Sequence, residues 1–126
     1  MTVTIRYIVN DVQEAFDFYV QNLGFEVVMP PGKGFALLSH GQLHLALSGV
    51  VGEGGGSQAS GTGGRPQPGG WNRFQLEVED LSSTVQRLKQ QGASFRNEIV
   101  HGKGGRQILL EDPSGNLIEL FEAHKE

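Results

Sequence analysis

From Val3 to Val9 the chain alternates, with Val3, Ile5, Tyr7 and Val9 on one side of an extended backbone and Thr4, Arg6, Ile8 and Asn10 on the other. A period of two predicts a half-buried strand. The period then lengthens: Val12, Ala15, Phe16, Tyr19 and Leu23 recur at helical spacing, behind Asp11 as N-cap with Glu14 three residues on, and ahead of Gly24 as the stop. Residues 25–29, 35–39 and 43–47 read as three short strands, separated by Pro30-Pro31-Gly32 and by His40-Gly41. The order is βαβββ.

The same order returns further along. Phe74, Leu76 and Val78 alternate against Arg73, Gln75 and Glu77, and Asp80 caps a helix that carries Leu81, Val85 and Leu88 and stops at Gly92. Val9-Asn10-Asp11-Val12 aligns with Val78-Glu79-Asp80-Leu81, so the repeat is legible residue by residue. Strands are expected near 94–99, 107–111 and 117–122, with Asp112-Pro113-Ser114-Gly115 a type I turn between the last two. The fold class is therefore α+β, with βαβββ modules at residues 1–51 and 71–126 joined by a connector at 52–70. One such module leaves a sheet face uncovered, so the two are expected to pair into a curled mixed sheet around a shared cavity, a single domain over residues 1–126.

Composition narrows the function classes. Glycine supplies 19 of 126 residues, and nine of the 19 fall at 52–70, which makes that connector long, glycine-rich and a candidate lid hinged at Trp71. No Gly-x-Gly-x-x-Gly or Gly-Lys-Ser/Thr motif occurs, so the stretch is not a known nucleotide cradle. The net charge of −4, with cations scattered singly, argues against a nucleic-acid partner. No apolar run suggests a signal or a membrane span, and the absence of cysteine fits a cytoplasmic protein.

Two stretches carry a family signature. Val9-Asn10-Asp11-Val12 through Phe16-Asp17-Phe18-Tyr19 to Leu23-Gly24-Phe25, and Asp112 through Leu120 (DPSGNLIEL), resemble the vicinal oxygen chelate superfamily. That superfamily includes glyoxalase I, bleomycin-resistance proteins, extradiol dioxygenases and fosfomycin-resistance enzymes. The resemblance implies the paired-module fold, a homodimer, and four cavity-facing positions that in the enzymes ligate a divalent metal, one on the first and one on the last strand of each module.

Strand parity locates those positions here. Leu43, Leu45 and Leu47 should pack on a helix, which turns Gln42, His44 and Ala46 toward the cavity; by the same logic Leu117, Glu119 and Phe121 face inward and Ile118 and Leu120 outward. His44 and Glu119 then match two of the family's ligand positions. Alignment on Asp11 and Asp80 puts Thr4 and Arg73 at the other two, and neither suits a divalent ion: a hydroxyl is a poor ligand, and a guanidinium stays protonated. Two ligands fall short of the three protein groups of a usual catalytic site. No cofactor is expected, and a bound metal would have to use His44 and Glu119.

Arg73 beside Glu119 predicts an arginine–carboxylate pair at the vacated metal position, with Arg6 adding a second cation to the same wall. The pair reads equally as an internal salt bridge or as an oxyanion anchor for a ligand, with His44 near enough to exchange a proton. Gln75 and Phe121 share its inward-facing set, and Trp71 stacks on a ligand at the cavity mouth or, as the favoured expectation, packs into the core. His40, His101 in a polar loop, and His124 are expected to be solvated, and residues 102–106 to form a plain hairpin loop rather than an anion clamp. The reading is a metal-free small-molecule-binding protein of the bleomycin-resistance type. The alternative is a lyase, isomerase or dioxygenase that uses His44 and Glu119 as catalytic groups, with or without a metal.

Overall fold

In a computed structural model, which describes residues 2–50 and 64–125, both helices among the described residues start in the same way. Asp11 Oδ1 accepts the Glu14 N–H at 3.0 Å ahead of α1 (Val12–Leu23), and Asp80 Oδ1 accepts the Ser83 N–H at 3.1 Å ahead of α2 (Leu81–Gln90). Each carboxylate satisfies a backbone donor that has no partner within its own helix. Gly24 ends α1 in the left-handed region, its N–H returning to the Tyr19 carbonyl.

The chain divides into two units, Met1–Gly69 and Gly70–Glu126. In the first, β1 (Val3–Val9), β2 (Glu26–Gly32), β3 (Phe35–His40) and β4 (Leu43–Gly49) form one mixed sheet in the order β1-β4-β3-β2. β1 and β4 are parallel; the other pairs are antiparallel. Tyr7, Val9, Leu45 and Leu47 are buried, as are Ala15 and Tyr19 of α1, and Tyr19 meets Phe25 edge-on at 5.3 Å.

One boundary differs from the sequence reading. Pro30-Pro31-Gly32 does not break the chain but continues β2, and the reversal comes at Lys33 and Gly34, with φ of 50° and 79°. β2 stands last in the strand order, beside β3, so prolines without an N–H are tolerated there, and the register shifts on either side of Met29. Two successive positive φ angles suit the twist of a tight hairpin.

In the second unit, β5 (Arg73–Glu77), β6 (Ser94–Phe95), β7 (Val100–His101), β8 (Gly105–Glu111) and β9 (Leu117–Ala123) form a five-stranded sheet. Its order is β5-β9-β8-β6, with β7 also on β8. Phe74, Leu76, Ile108, Leu110, Ile118 and Leu120 are buried, together with Leu81, Val85 and Leu88 of α2. The strand expected at 94–99 is cut short to β6, and β7 begins just beyond its expected end. Arg96 N–H still reaches the Leu109 carbonyl at 2.9 Å, but the Leu109 N–H goes to the Asn97 side chain at 2.9 Å, so an amide replaces the backbone acceptor and the ladder breaks. His101 accordingly lies on β7 rather than in a loop.

The turn after β8 is tighter than its four residues required. Asp112 Oδ1 accepts both the Ser114 and Asn116 N–H groups, at 2.8 and 2.9 Å, and Gly115 sits at φ 84°, where the sequence reading asked only that glycine be tolerated. Of the connector, residues 52–63 lie outside the described residues, and the lid expectation falls mainly on them. Among the described residues no helix is long and apolar enough to cross a membrane.

Candidate functional site

β5 and β9 run parallel with Arg73 opposite Leu117, Gln75 opposite Glu119 and Glu77 opposite Phe121. Alternation puts Arg73, Gln75 and Glu77 on one face with Leu117, Glu119 and Phe121, and leaves Phe74, Leu76, Ile118 and Leu120 on the other. The second face is the one toward α2: Glu122, of the same parity as Ile118 and Leu120, accepts the Leu81 N–H at the helix start at 2.8 Å. The polar face is therefore the one turned away from the helix.

On that face Glu119 is held from two sides. Arg73 donates from Nε at 3.1 Å and from Nη2 at 3.0 Å, both to Oε1, and Gln75 Nε2 donates to Oε2 at 2.6 Å. A carboxylate only accepts, so the Gln75 amide must present its nitrogen to it. The third Arg73 nitrogen, Nη1, donates to the Trp71 carbonyl at 3.2 Å. The Glu119 side chain is 12% exposed and that of Arg73 31%, so the pair lies at the border of solvent with the carboxylate inward.

As ligands for a divalent cation these residues do not fit. Three of roughly four acceptor positions on Glu119 are taken, one oxygen already faces a permanent cation, and a guanidinium cannot ligate. Among the described residues no three His, Cys, Asp or Glu side chains are grouped to hold a metal ion.

The first unit presents a parallel arrangement with different chemistry. β1 and β4 set Thr4 beside His44, Arg6 beside Ala46 and Ile8 beside Ser48, and β3 sets Ser39 on the other side of His44. His44 lines a depression of about 610 Å³ with Thr2, Val3, Gln42 and Leu43. Its Nδ1 and the Ser48 hydroxyl oxygen are buried and have no hydrogen-bond partner among the described residues. Thr4 and Arg6 are exposed.

The expected site residues are thus partly brought together. Arg73, Gln75 and Glu119 form one bonded cluster, Trp71 joins it through its carbonyl, and Phe121 follows Glu119 on the same face with its ring against Gly104. His44 and Arg6 belong to the first unit and share a face there. Core packing of Trp71 is not found: the side chain is 65% exposed, with the Arg96 guanidinium over its ring at 5.0 Å. The sequence reading missed Arg96, because it placed that residue in the middle of an unbroken strand.

Residues 102–106 do form a hairpin, closed by the Gly102 N–H on the Gly105 carbonyl at 2.8 Å. Arg106 is not one of its free cations, since it pairs with Glu122 at 3.0 Å and reaches Ser82 Oγ at 3.3 Å. The Arg106 donors and the Leu81 N–H hold the Glu122 carboxyl below the usual glutamate range. His40, His101 and His124 are exposed, and His124 Nε2 lies 3.2 Å from the Gly102 carbonyl.

Residues 2–120 match the family model described as the Glyoxalase/Bleomycin resistance protein/Dioxygenase superfamily, and the chain belongs to that superfamily. Bleomycin resistance proteins of Geobacillus stearothermophilus and Staphylococcus aureus are each 28% identical to it over 123 residues, 93% of this chain and 92% of theirs. A 55-residue stretch, 42% of this chain, is 34% identical to a probable chloroplastic lactoylglutathione lyase of Arabidopsis thaliana and spans 16% of that protein. Among solved structures, a superfamily member from Sphaerobacter thermophilus superposes with a TM-score of 0.75 at 26% identity, covering 97% of this chain and 96% of that one.

Proposed function

We propose that the protein is a metal-free binder of a small molecule, of the sequestering, bleomycin-resistance kind. The observation that carries this reading is the closure of Glu119 by Arg73 and Gln75, which spends the family's carboxylate on an internal cation. The near full-length likeness to bleomycin resistance proteins supports it. In this reading the ligand meets the exposed Arg73 and Gln75, Phe121 beside them, and Trp71 at the edge of the face. Arg73 keeps N–H groups beyond those committed to Glu119 for a ligand oxygen.

The competing reading is a glyoxalase-like lyase, isomerase or dioxygenase that works through His44 and Glu119. The Nδ1 of His44, without a partner among the described residues, is what favours it, since a ring nitrogen not already bonded is what a general base needs. The two separate by metal analysis of protein purified without chelator, paired with calorimetric titration of bleomycin. We expect no stoichiometric metal, and bleomycin binding that weakens in Arg73→Met. Stoichiometric zinc, nickel, manganese or iron that is lost in Glu119→Gln would overturn the metal-free reading, and no bleomycin binding would overturn the sequestering one.

A further inference from the structure

Along one flank of α2, Ser82, Val85, Gln86, Lys89 and Gln90 follow one another at steps of three, one, three and one, which puts them in a single stripe. With Ile99 they line a furrow of about 480 Å³, within the size range of small-molecule pockets. The furrow runs beside the helix, whereas Arg73, Gln75 and Glu119 occupy the sheet face turned away from it.

The short strand explains why the flank is open. β6 is only Ser94–Phe95, and beyond it the Asn97 side chain takes the Leu109 N–H, so the ladder stops and Ile99 is the one lining residue that does not belong to the helix. Val85 is buried and Ile99 half-buried, and the methylene stems of Gln86, Lys89 and Gln90 extend that apolar surface. From Ser82 to Gln90 the stripe is about 12 Å long at the helical rise.

Lys89 is the one charged residue of the lining. Its Nζ lies 5.9 Å from the centre of the Phe95 ring, and among the described residues no carboxylate pairs with it. Arg106 touches the other end of the stripe, with Nη1 3.3 Å from Ser82 Oγ, but Glu122 matches its charge at 3.0 Å. In a chain of net charge −4 the furrow thus combines an apolar trough with an unmatched cation at one end. That combination is complementary to an anion with an aliphatic tail.

We propose that this furrow is a second binding site, apart from the polar face of β5 and β9, for an amphipathic aliphatic carboxylate. The carboxylate meets Lys89, and the chain lies along Val85 and Ile99 toward Ser82.

The test uses the full chain and decanoate below its micelle concentration, with decan-1-ol as the uncharged analogue. We expect saturable binding of decanoate in calorimetry, with amide shifts in NMR spectra centred on residues 82–90 and 99. Affinity should be about fivefold weaker in Lys89→Met, the scale of one exposed ion pair, and should fall similarly in Gln86→Glu, which sets a carboxylate in the wall at an exposed helical position where folding is not at stake. Decan-1-ol should bind more weakly than decanoate to the wild type and equally to wild type and Gln86→Glu. Absence of saturable decanoate binding overturns the proposal, as do affinities unchanged in both variants, shifts centred instead on residues 73–77 and 117–121, or decan-1-ol binding as tightly as decanoate. Self-association in sedimentation that Gln86→Glu abolishes would place a second copy of the chain in the furrow and overturn it too.

Discussion

Arg73 reaches a single oxygen of Glu119 with two of its nitrogens, Nε at 3.1 Å and Nη2 at 3.0 Å, across the parallel pair of β5 and β9. The other oxygen is left to Gln75 at 2.6 Å. The carboxylate is thereby neutralised and oriented by the protein itself, in a place where its relatives' resemblance leads one to look for a metal ligand.

Removing the cation should therefore cost more than removing the charge pair. Arg73→Met leaves an inward carboxylate with only Gln75, and we expect a loss of about 1–3 kcal/mol in urea denaturation. The double variant Arg73→Met/Glu119→Leu should recover part of that loss, because no buried charge is then left alone. A double variant less stable than Arg73→Met would contradict this account of the pair.

Gly105 is irreplaceable for a steric reason. A Cβ there would overlap the Glu122 carbonyl oxygen on the neighbouring β9, whereas one at Gly104 would meet only the Phe121 ring at 3.5 Å, an ordinary contact. Gly105→Ala is expected to destabilise by about 1–3 kcal/mol and Gly104→Ala by much less. Thermal melting of the two variants side by side checks the contrast.

Glu122 should give the protein an acid-sensitive stability. Its carboxyl is held below the ordinary glutamate range, first by the Arg106 hydrogen bond and then by the Leu81 N–H. A group whose folded value is depressed contributes stability that is fully present above the unfolded value and is lost as pH falls through the lowered folded value. Stability measured from neutral pH down through the acid range should therefore decline less steeply in Glu122→Gln than in the wild type. An identical slope would remove Glu122 from the explanation.

The two caps should behave as equivalents. Asp11→Ala and Asp80→Ala each leave a first-turn N–H without its acceptor and should cost about 1 kcal/mol. The caps lie in separate units, so the costs are expected to add in the double variant. A strongly non-additive result in denaturant would mean that the two modules respond to each other's helices.

Much of this was legible in local pattern. The alternation of Val3 to Val9 and of Arg73 to Val78, the caps Asp11 and Asp80 and the glycine stop after Leu23 predict which residues become strand or helix and which face each strand buries. Those features depend on backbone dihedrals and on a period of two or 3.6 residues, both of which act over a few neighbours. The approach of Arg73 to Glu119 also followed, since the parity of two strands suffices to put both on one face.

What the tertiary structure alone decided was which atoms meet. Asn97 takes the Leu109 N–H and cuts a strand short, prolines persist in β2 because it stands at the end of its sheet's strand order, and Arg106 leaves its loop for Glu122. Gln75 becomes the second donor to Glu119, and Trp71 stays in solvent under Arg96 instead of entering the core. Each of these outcomes depends on strand register and on groups between 12 and 44 residues apart in the chain, or on a strand's place in its sheet. A short-range period carries no record of them. The chain by itself determines its elements and their faces; long-range register determines which polar groups satisfy one another and which are left to meet a ligand.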